Sequence, residues 1–282
     1  MADALRVVLA AGGTGGHIYP AIAIARKLLK DNRGADILFL GTRSGPEAEI
    51  VKREGFAFCG ITAEKLARKA SFGLVKFALK TARGFFECRK VLLKFRPAVV
   101  AGTGGYVCAP VMAAAICMGI PALLHEQNVV PGLSNRLFCR WAGAVAVSFE
   151  KTNEKLSCKN IVVTGNPIRE DVLEADRAKA RGSFGISAEE KGLLAVGGSL
   201  GARKINDSML EYVKTASGRK ERVLWMTGER EFEKYSSAVK SFGKSSIVVV
   251  PFFRNMADAY AAADLIVCRA GASTIAEIAA RG

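Results

Sequence analysis

Short runs of aliphatic and β-branched residues alternate with longer stretches of helical periodicity along the chain of 282 residues. This alternation predicts βαβ units, in which each helix returns the chain so that successive strands lie parallel in one sheet. We predict a first series of strands at residues 5–11, 37–40, 98–101, 121–125 and 144–148. A second series is predicted at residues 193–196, 223–226, 247–250 and 265–268. The chain is therefore predicted to belong to the α/β class.

The series of strands is interrupted near residues 165–169, where Asn166 and Pro167 follow a glycine. Each half of the chain opens with a hydrophobic strand that runs into a glycine-rich turn and then into a helix. We therefore predict two Rossmann-like domains, residues 1–164 and 165–282, each built on a parallel sheet.

The composition excludes several classes of protein. Half of the residues are hydrophobic and 24% are charged, as in soluble globular proteins. No window reaches the roughly 18 apolar residues of a spanning helix, and no signal peptide follows Met1. The seven cysteines stand singly, which indicates a reducing cytoplasm rather than disulfides or structural zinc.

The formal net charge of +15 indicates an anionic partner such as a nucleic acid, a phosphorylated substrate or an acidic membrane face. The charge is densest in residues 65–96, where only Glu87 opposes the basic side chains Lys65, Arg68, Lys69, Lys76, Lys80, Arg83, Arg89, Lys90, Lys94 and Arg96. Phenylalanine, leucine and valine residues between them predict a basic amphipathic helix. Such a helix either packs its apolar face on the sheet or binds a membrane surface, and both can hold in one segment.

Four glycine-rich turns each follow a predicted strand and precede a predicted helix, at residues 12–17 (GGTGGH), 102–106 (GTGGY), 197–201 (GGSLG) and 269–273 (RAGAS). In a parallel sheet such turns fall on the carboxyl edge of the strands, where open α/β folds bind ligands. Glycine lets the backbone approach a ligand, and the helix start offers N–H groups to a phosphate. We predict that the turns bind a phosphorylated ligand in one cleft between the two domains.

Several kinds of phosphate site are disfavoured by the motifs that are absent. The sequence has neither a G-x-x-x-x-G-K-[ST] P-loop nor a G-x-G-x-x-G dinucleotide fingerprint, and no cluster of metal-ligand residues. A nucleotide-dependent oxidoreductase with two Rossmann-like halves stays an alternative, although it needs that fingerprint. A basic module that binds nucleic acid is a third hypothesis, but no recognised binding motif supports it.

The two histidines, His17 and His125, both follow strands of the first half. An imidazole at a ligand-binding edge suits proton abstraction from a hydroxyl, and His17 is the preferred candidate for that role. His125 is equally well explained as a packed, hydrogen-bonded turn residue. Glu126 and Asn128 either orient sugar hydroxyls or form hydrogen bonds within their own loop.

Two charged residues of the second half are candidates for nucleotide contacts. Arg169 follows the predicted linker, where it would reach a diphosphate or remain a solvated linker side chain. Glu277 follows the last glycine-rich turn and would bind the two hydroxyls of a ribose. The alternative for Glu277 is an ion pair with Arg281 one helical turn later.

The motifs Gly12–His17, Gly104-Gly-Tyr106, His125-Glu-Gln-Asn128, Gly165-Asn-Pro167, Gly197-Gly-Ser199 and Cys268-Arg-Ala-Gly271 leading to Glu277 together resemble the MurG glycosyltransferases. The motifs follow the order of that family over nearly the whole chain. The resemblance implies a GT-B fold, with two Rossmann-like domains whose parallel sheets face a central cleft. It also implies transfer of N-acetylglucosamine from its UDP carrier to lipid I, with inversion, in peptidoglycan synthesis.

The resemblance also implies a role for individual residues. His17 and Glu126 would be catalytic, and the acceptor would contact Gly104, Gly105, Tyr106 and His125. The donor would contact Thr14, Gly15, Gly16, Asn128, Arg169, Ser199, Phe253, Ala272, Ser273, Thr274, Ile275, Ala276 and Glu277. No metal, cofactor or nucleic acid is implied, and the partners would be UDP-N-acetylglucosamine, lipid I and the anionic cytoplasmic face of the cell membrane.

One difference from the family lies beyond Gly282, where the family continues with a strand, a loop that carries glutamine donor contacts, and helices that return to the first domain. We therefore expect the second domain to be incomplete, with donor contacts missing. An inactive fragment that binds only partners of the basic segment is the corresponding alternative.

Overall fold

The computed structural model describes residues 4–65, 72–198, 201–215, 220–243 and 246–282. The chain forms two compact units, Met1–Ile168 and Arg169–Gly282. The division lies inside the segment 165–169 where the sequence analysis places the linker. Each unit contains its own parallel sheet with helices packed on it.

The first unit is built on a seven-stranded sheet with the order β3-β2-β1-β4-β5-β6-β7. Its strands are β1 (Arg6–Ala10), β2 (Asp36–Thr42), β3 (Ala57–Ile61), β4 (Val99–Gly102), β5 (Ala122–Glu126), β6 (Ala144–Val147) and β7 (Ile161–Val163). All neighbouring strands are parallel, and β1 pairs with β4 through Val7 and Val99. The reversal of strand order between β1 and β4 is the switch point at which doubly wound sheets bind ligands.

Successive residues of β1 point to opposite sides of this sheet, and they are apolar on both sides. Helices therefore cover both faces of the sheet. The helices are α1 (Gly15–Asp31), α2 (Pro46–Arg53), α3 (Phe72–Phe95), α4 (Cys108–Cys117) and α5 (Leu133–Phe138), with a 3-10 helix at Glu150–Lys155. Val7 and Leu9 pack with Ile18 of α1 on one face. Val8 and Ala10 belong to the second core, which includes α3 and α4.

The second unit has a four-stranded parallel sheet with the order β10-β9-β8-β11. Its strands are β8 (Lys191–Val196), β9 (Glu221–Met226), β10 (Ile247–Val250) and β11 (Leu265–Cys268). Its helices are α6 (Glu170–Glu174), α7 (Arg177–Ser183), α8 (Arg203–Thr215), α9 (Phe232–Lys240), α10 (Met256–Ala262) and α11 (Ala272–Arg281), with a 3-10 helix at Glu229–Glu231. The fully buried Trp225 and Tyr235 lie at the centre of its core.

The two parallel sheets confirm the predicted Rossmann-like architecture, and each predicted strand is present within a few residues of its expected position. The sequence analysis missed β3 and β7, which lie at the two edges of the first sheet. The predicted basic helix is present as α3, whereas residues 66–71 of the same segment lie outside the described residues. In the described parts of both units, no helix is long and apolar enough to cross a membrane.

Candidate functional site

The first two glycine-rich turns lie side by side at the carboxyl edge of the first sheet, because they follow the adjacent strands β1 and β4. The Thr103 amide donates to the Ala10 carbonyl at 3.0 Å, which ties the second turn to the end of β1. The Thr103 hydroxyl donates to the His17 carbonyl at 2.8 Å. The structure thus brings together Gly12–His17 and Gly102–Tyr106, as the sequence predicted for this unit.

Glycine is required at two positions of the second turn. Gly104 has φ +104°, and a Cβ atom there would lie 2.8 Å from His17 Nδ1. Gly105 has φ +86°, and a Cβ atom there would lie 2.2 Å from the Gly12 carbonyl oxygen. Both residues combine a left-handed backbone with a close approach to the first turn, so a side chain at either position would separate the turns.

His17 lies in the first turn of α1, which begins at Gly15 after the extended Thr14. The helix start is formed by Thr14, whose carbonyl accepts from the His17 amide at 3.1 Å. On the ring, Nδ1 lies 3.1 Å from the Thr103 carbonyl oxygen and 3.1 Å from Gln127 Oε1. The imidazole is therefore held at one nitrogen by groups from the turn after β4 and from the loop after β5. Tyr106 approaches the same turn, since its ring would be 3.1 Å from a Cβ atom at Gly13.

His125 is buried at the end of β5, and both of its ring nitrogens have protein partners. Nε2 lies 3.2 Å from the Gly165 carbonyl oxygen, and Nδ1 lies 2.9 Å from Gln127 Nε2. Burial lowers the pKa of His125 below its ordinary value of 6.5. These contacts favour the packed, hydrogen-bonded interpretation of His125, and its contact with the acceptor stays a prediction.

Glu126 is also buried, and its carboxylate organises the loop that follows β5. Oε1 accepts from the Asn128 amide at 2.9 Å and from Asn128 Nδ2 at 3.1 Å. Oε2 accepts from the Gly132 amide and from Asn135 Nδ2, both at 2.8 Å. Both oxygens thus form hydrogen bonds within the loop, which favours the structural alternative for Glu126 and Asn128. Their catalytic and donor-binding roles stay predictions.

Glu47 is a site residue that the sequence analysis missed. It lies in the first turn of α2, and its carboxylate is buried. The carboxylate accepts from the Thr42 amide at 2.8 Å, from the Thr42 hydroxyl, and from the Gly13 amide at 3.3 Å. One carboxylate therefore joins the end of β2 to the first glycine-rich turn. The signal in the sequence is its position directly after Pro46, a few residues beyond a predicted strand.

The glycine-rich turns of the second unit also follow adjacent strands, β8 and β11. Gly198 has φ +84°, and a Cβ atom there would lie 3.0 Å from Arg269 Nη2, so these two turns are close together. Ser199 lies outside the described residues, and its predicted contact with the donor stays a prediction. The last turn leads into α11, whose first six residues, 272–277, are among the predicted donor contacts and stay predictions.

Arg169 and Glu277 lie together within the second unit, with Arg169 Nε 3.5 Å from Glu277 Oε1. Their side chains are only 12% and 13% exposed, so Arg169 is not a solvated linker residue. Burial raises the pKa of Glu277, and the Arg169 charge opposes that shift. Burial also raises the pKa of Tyr260, which shares a hydrogen bond with Glu277. The alternative partner Arg281 instead donates to the Leu173 carbonyl at 3.1 Å.

Phe253 is placed in the core of the second unit rather than on its surface. Its ring contacts Phe184 edge to face, with the centroids 5.6 Å apart. The Phe253 amide donates to the sulfur of Met226 at 3.5 Å. A donor contact from this residue stays a prediction. Across the described ranges of both units, no group of three or more His, Cys, Asp or Glu side chains is gathered that could hold a metal ion.

Two family models match the chain. The N-terminal domain of glycosyltransferase family 28 matches residues 7–147, and the C-terminal domain of the same family matches residues 193–282. These matches cover the four glycine-rich turns and both histidines.

Curated relatives and solved structures agree with these matches. A UDP-N-acetylglucosamine:N-acetylmuramyl-(pentapeptide) pyrophosphoryl-undecaprenol N-acetylglucosamine transferase of Caldanaerobacter subterraneus subsp. tengcongensis is 46% identical over 99% of this chain and 77% of its own length. A Bacillus cereus transferase of the same name is 41% identical over the same shares. The crystal structure of Acinetobacter baumannii MurG has a TM-score of 0.69 at 31% identity, over 99% of this chain and 76% of that one. A putative Listeria monocytogenes UDP-N-acetylglucosamine 2-epimerase has a TM-score of 0.69 at 13% identity, which shows likeness of fold alone.

Proposed function

Since the chain belongs to the MurG transferases of glycosyltransferase family 28, which have the GT-B fold, we propose that it moves N-acetylglucosamine from UDP-N-acetylglucosamine to lipid I and so forms lipid II. The proposed reaction is a step of peptidoglycan synthesis, on which cell shape and division depend. The relatives named above are transferases, and they favour neither the oxidoreductase nor the nucleic-acid-binding alternative.

The observation that supports this function best is the environment of His17. Two glycine-rich turns meet at this imidazole, and Nδ1 is held by the Thr103 carbonyl and by Gln127. In the proposed reaction the 4-hydroxyl oxygen of the acceptor sugar attacks the anomeric carbon of the donor. The bond from that carbon to UDP breaks with its electron pair on the diphosphate, and His17 takes the proton of the hydroxyl. Attack from the face opposite UDP accounts for inversion.

The two units are proposed to divide the substrates between them. The first unit binds the acceptor at Gly104, Gly105 and Tyr106, where the two left-handed glycines lie close to His17 and to the first glycine-rich turn. The second unit binds the donor with the turn before α11, because a helix N-terminus favours the negative charge of a diphosphate. Glu277 accepts from the ribose hydroxyls, and Arg169 supports the charge of the departing UDP.

Replacement of His17 by alanine tests the proposal. Loss of a general base lowers kcat by about 10²- to 10⁴-fold. Calorimetry with UDP-N-acetylglucosamine should show unchanged donor affinity, because the His17 side chain is not among the predicted donor contacts. Lys27→Ala is the matched control, since Lys27 lies on the same helix and its exposed ammonium forms a surface ion pair with Asp31. Turnover by H17A equal to that of K27A would remove His17 from the mechanism.

We further propose that the first unit binds the anionic cytoplasmic face of the cell membrane through α3. Leu79, Phe86 and Leu93 are exposed and lie seven residues apart, so they form one stripe along the helix. The basic residues Arg83 and Lys90 fall between them on the same face. On the opposite face, α3 packs inward, with Cys88 and Leu92 in the core. The proposal therefore assigns to one helix both interpretations that the sequence left open.

Vesicle binding tests this membrane contact. The double variant Leu79→Gln/Phe86→Gln should bind vesicles containing anionic lipid at least tenfold more weakly, since burying each of these side chains contributes about 1.5–3 kcal/mol. Leu173→Gln, which changes an exposed leucine of the second unit, is the control. Binding that is indifferent to the double substitution, to anionic lipid and to salt would contradict the proposal.

A further inference from the structure

Gln127 lies between the two histidines of the chain and is itself buried. Its Oε1 atom is 3.1 Å from His17 Nδ1. Its Nε2 atom is 2.9 Å from His125 Nδ1 and 3.3 Å from the His125 carbonyl oxygen. A single side-chain amide therefore connects the proposed base to a second imidazole.

Two backbone carbonyls favour hydrogen on one ring nitrogen at each end of this connection. The Thr103 carbonyl oxygen is 3.1 Å from His17 Nδ1, and the Gly165 carbonyl oxygen is 3.2 Å from His125 Nε2. Carbonyl oxygens only accept hydrogen bonds, so each of these contacts is a hydrogen bond only when its ring nitrogen carries hydrogen.

The orientation of the Gln127 amide follows from these two positions. His125 is buried, and burial lowers its pKa, so the ring is neutral and its Nδ1 is an acceptor. That acceptor needs a donor, which is the Gln127 NH₂ group, and the other hydrogen of this group faces the His125 carbonyl. The Gln127 oxygen is then left to accept from His17 Nδ1. If the amide were reversed, its NH₂ group would face the N–H of His17 and its oxygen would face the lone pair of His125.

We propose that Gln127 is a positioning residue that holds His17 in the tautomer with hydrogen on Nδ1, which leaves the lone pair of Nε2 free to take the proton of the acceptor hydroxyl. The Gly165 carbonyl sets this arrangement through His125, four residues before the second unit begins at Arg169. After proton transfer, the same two oxygens, from Thr103 and Gln127, face the Nδ1–H of the imidazolium and stabilise its charge. The catalytic consequence rests on the proposed function of His17, whereas the tautomer does not.

Nuclear magnetic resonance of the full chain labelled with ¹⁵N-histidine tests the tautomer directly. The chain has two histidines, so four ring nitrogens give signals, and His17→Ala identifies the pair that belongs to His17. The protonated nitrogen is identified from its ¹⁵N shift and its coupling to hydrogen. We expect hydrogen on Nδ1 of His17 and on Nε2 of His125. Hydrogen on Nε2 of His17 in the unmodified protein would overturn the proposal.

Two substitutions separate the role of Gln127 from a general effect on the fold. Gln127→Met fills a similar volume without hydrogen bonds, so His17 retains only the Thr103 carbonyl and should become a mixture of tautomers. Gln127→Glu retains an acceptor toward His17 and should preserve its tautomer, while His125 changes its protonation to donate to the new carboxylate. An unchanged His17 tautomer in Q127M would show that Gln127 does not set it. Thr152→Val is the control, because it removes a different buried hydrogen bond, to the Asn128 carbonyl, and should leave both imidazoles unchanged.

Kinetics then connect the tautomer to catalysis. A fall of the competent tautomer to one tenth lowers kcat about tenfold, equivalent to about 1.4 kcal/mol, in Q127M. The KM for UDP-N-acetylglucosamine should not change, and Q127E should recover most of the lost kcat. A rise in KM without a fall in kcat would contradict a positioning role. If the unmodified chain transfers no sugar, the proposed function fails, but the ¹⁵N signals still decide the tautomer.

Discussion

Glu47 is a charged side chain without solvent exposure, and its carboxylate accepts hydrogen bonds from the end of β2 and from the first glycine-rich turn. Such a carboxylate stabilises the fold because three donors compensate for its loss of water. The second glycine-rich turn meets the first at Gly12 and His17, so the position of the first turn determines the shape of the site. Glu47 is therefore a structural support for His17, although it belongs to another helix.

Replacement of Glu47 by alanine leaves the amides of Thr42 and Gly13 without their buried partner. We expect the free energy of unfolding to fall by about 2–4 kcal/mol, measured by urea denaturation. Glu49→Ala is the matched control on the same helix, where the side chain is exposed, and it should change stability by less than about 0.5 kcal/mol. Equal effects of the two substitutions would show that the buried hydrogen bonds contribute little.

His125 predicts how the stability of the first unit depends on pH. Because burial lowers its pKa in the folded protein, the unfolded chain takes up a proton first as the pH falls below 6.5. The contribution of His125 is therefore constant above that pH and is lost below it, with a slope of at most about 1.4 kcal/mol per pH unit. Hydrogen exchange of β5 peptides at pH 7.5 and pH 5.5 measures the loss.

His125→Asn provides the comparison for this pH dependence. The asparagine oxygen can accept from Gln127 as Nδ1 does, but asparagine does not titrate. We expect a smaller difference in protection of β5 between the two pH values than in the unmodified protein. An identical difference in both proteins would assign the pH dependence to other groups.

At this scale the sequence predicted the residues whose place follows from topology, and missed those defined by distant contacts. His17 was found because it follows a strand and a glycine-rich turn. Gln127 and Glu47 were not singled out, because their partners His17 and Gly13 lie 110 and 34 residues away in the chain. A glutamate in the first turn of a helix also has the pattern of an exposed residue, since acidic side chains favour that position.

Among the elements, α3 has a close contact that depends on the absence of a side chain. A Cβ atom at Gly84 would lie 2.0 Å from the backbone oxygen of Thr62 and 3.3 Å from Pro110 of α4. The helix can therefore lie directly against the segment that follows β3. This close approach fixes which face of α3 is buried and which presents Leu79, Phe86 and Leu93.

Gly84→Ala should force α3 away from Thr62 and lower the melting temperature, at a cost of about 1–3 kcal/mol. Gly182→Ala is the matched control, because this exposed glycine lies in α7 and a Cβ atom there meets no heavy atom within 4 Å. It should stabilise the protein by about 0.5–1 kcal/mol through the helix preference of alanine. If both substitutions raised the melting temperature, the packing of α3 at Thr62 would be looser than described.

The elements that the sequence analysis missed are short edge strands. β7 has three residues, and two of them, Val162 and Val163, are exposed, so the hydrophobic pattern that marks a buried strand is weak there. β3 contains Cys59 and Gly60, which interrupt its run of large apolar residues. Both β3 and β7 are strands because they pair with a neighbouring strand, and a short hydrophobic pattern in the sequence does not encode that pairing.

At the scale of the whole molecule, each unit has its own core, and this predicts independent responses to mutation. Trp225 of the second unit is fully buried and donates to Asn206 Oδ1 at 3.1 Å. Trp225→Phe leaves that oxygen unpaired and opens a cavity, so it should cost about 2–3 kcal/mol. Hydrogen exchange should accelerate in β8 and β9 but not in β1 and β4.

Trp141, the other tryptophan, provides the control for this prediction. Its side chain is exposed in the first unit. Trp141→Phe should change the free energy of opening, measured by hydrogen exchange, by no more than about 0.5 kcal/mol in either sheet. Faster exchange of β1 and β4 in the Trp225 variant would show that the units unfold together rather than separately. The two-unit architecture itself was predictable, because the alternation of strands and helices runs through both halves of the chain.

The strand order of the first sheet also determines when the base acquires its surroundings. His17 belongs to the start of the chain, but β1 completes its pairing only with β4, and Gln127 comes after β5. During synthesis on the ribosome, the imidazole therefore emerges long before the groups that orient its protons. Contacts between residues that are far apart in the chain form slowly compared with local helices. The surroundings of the base are consequently complete only after Gln127, 110 residues further along, has been added, and an arrested nascent chain ending before residue 127 would lack the amide that orients His17.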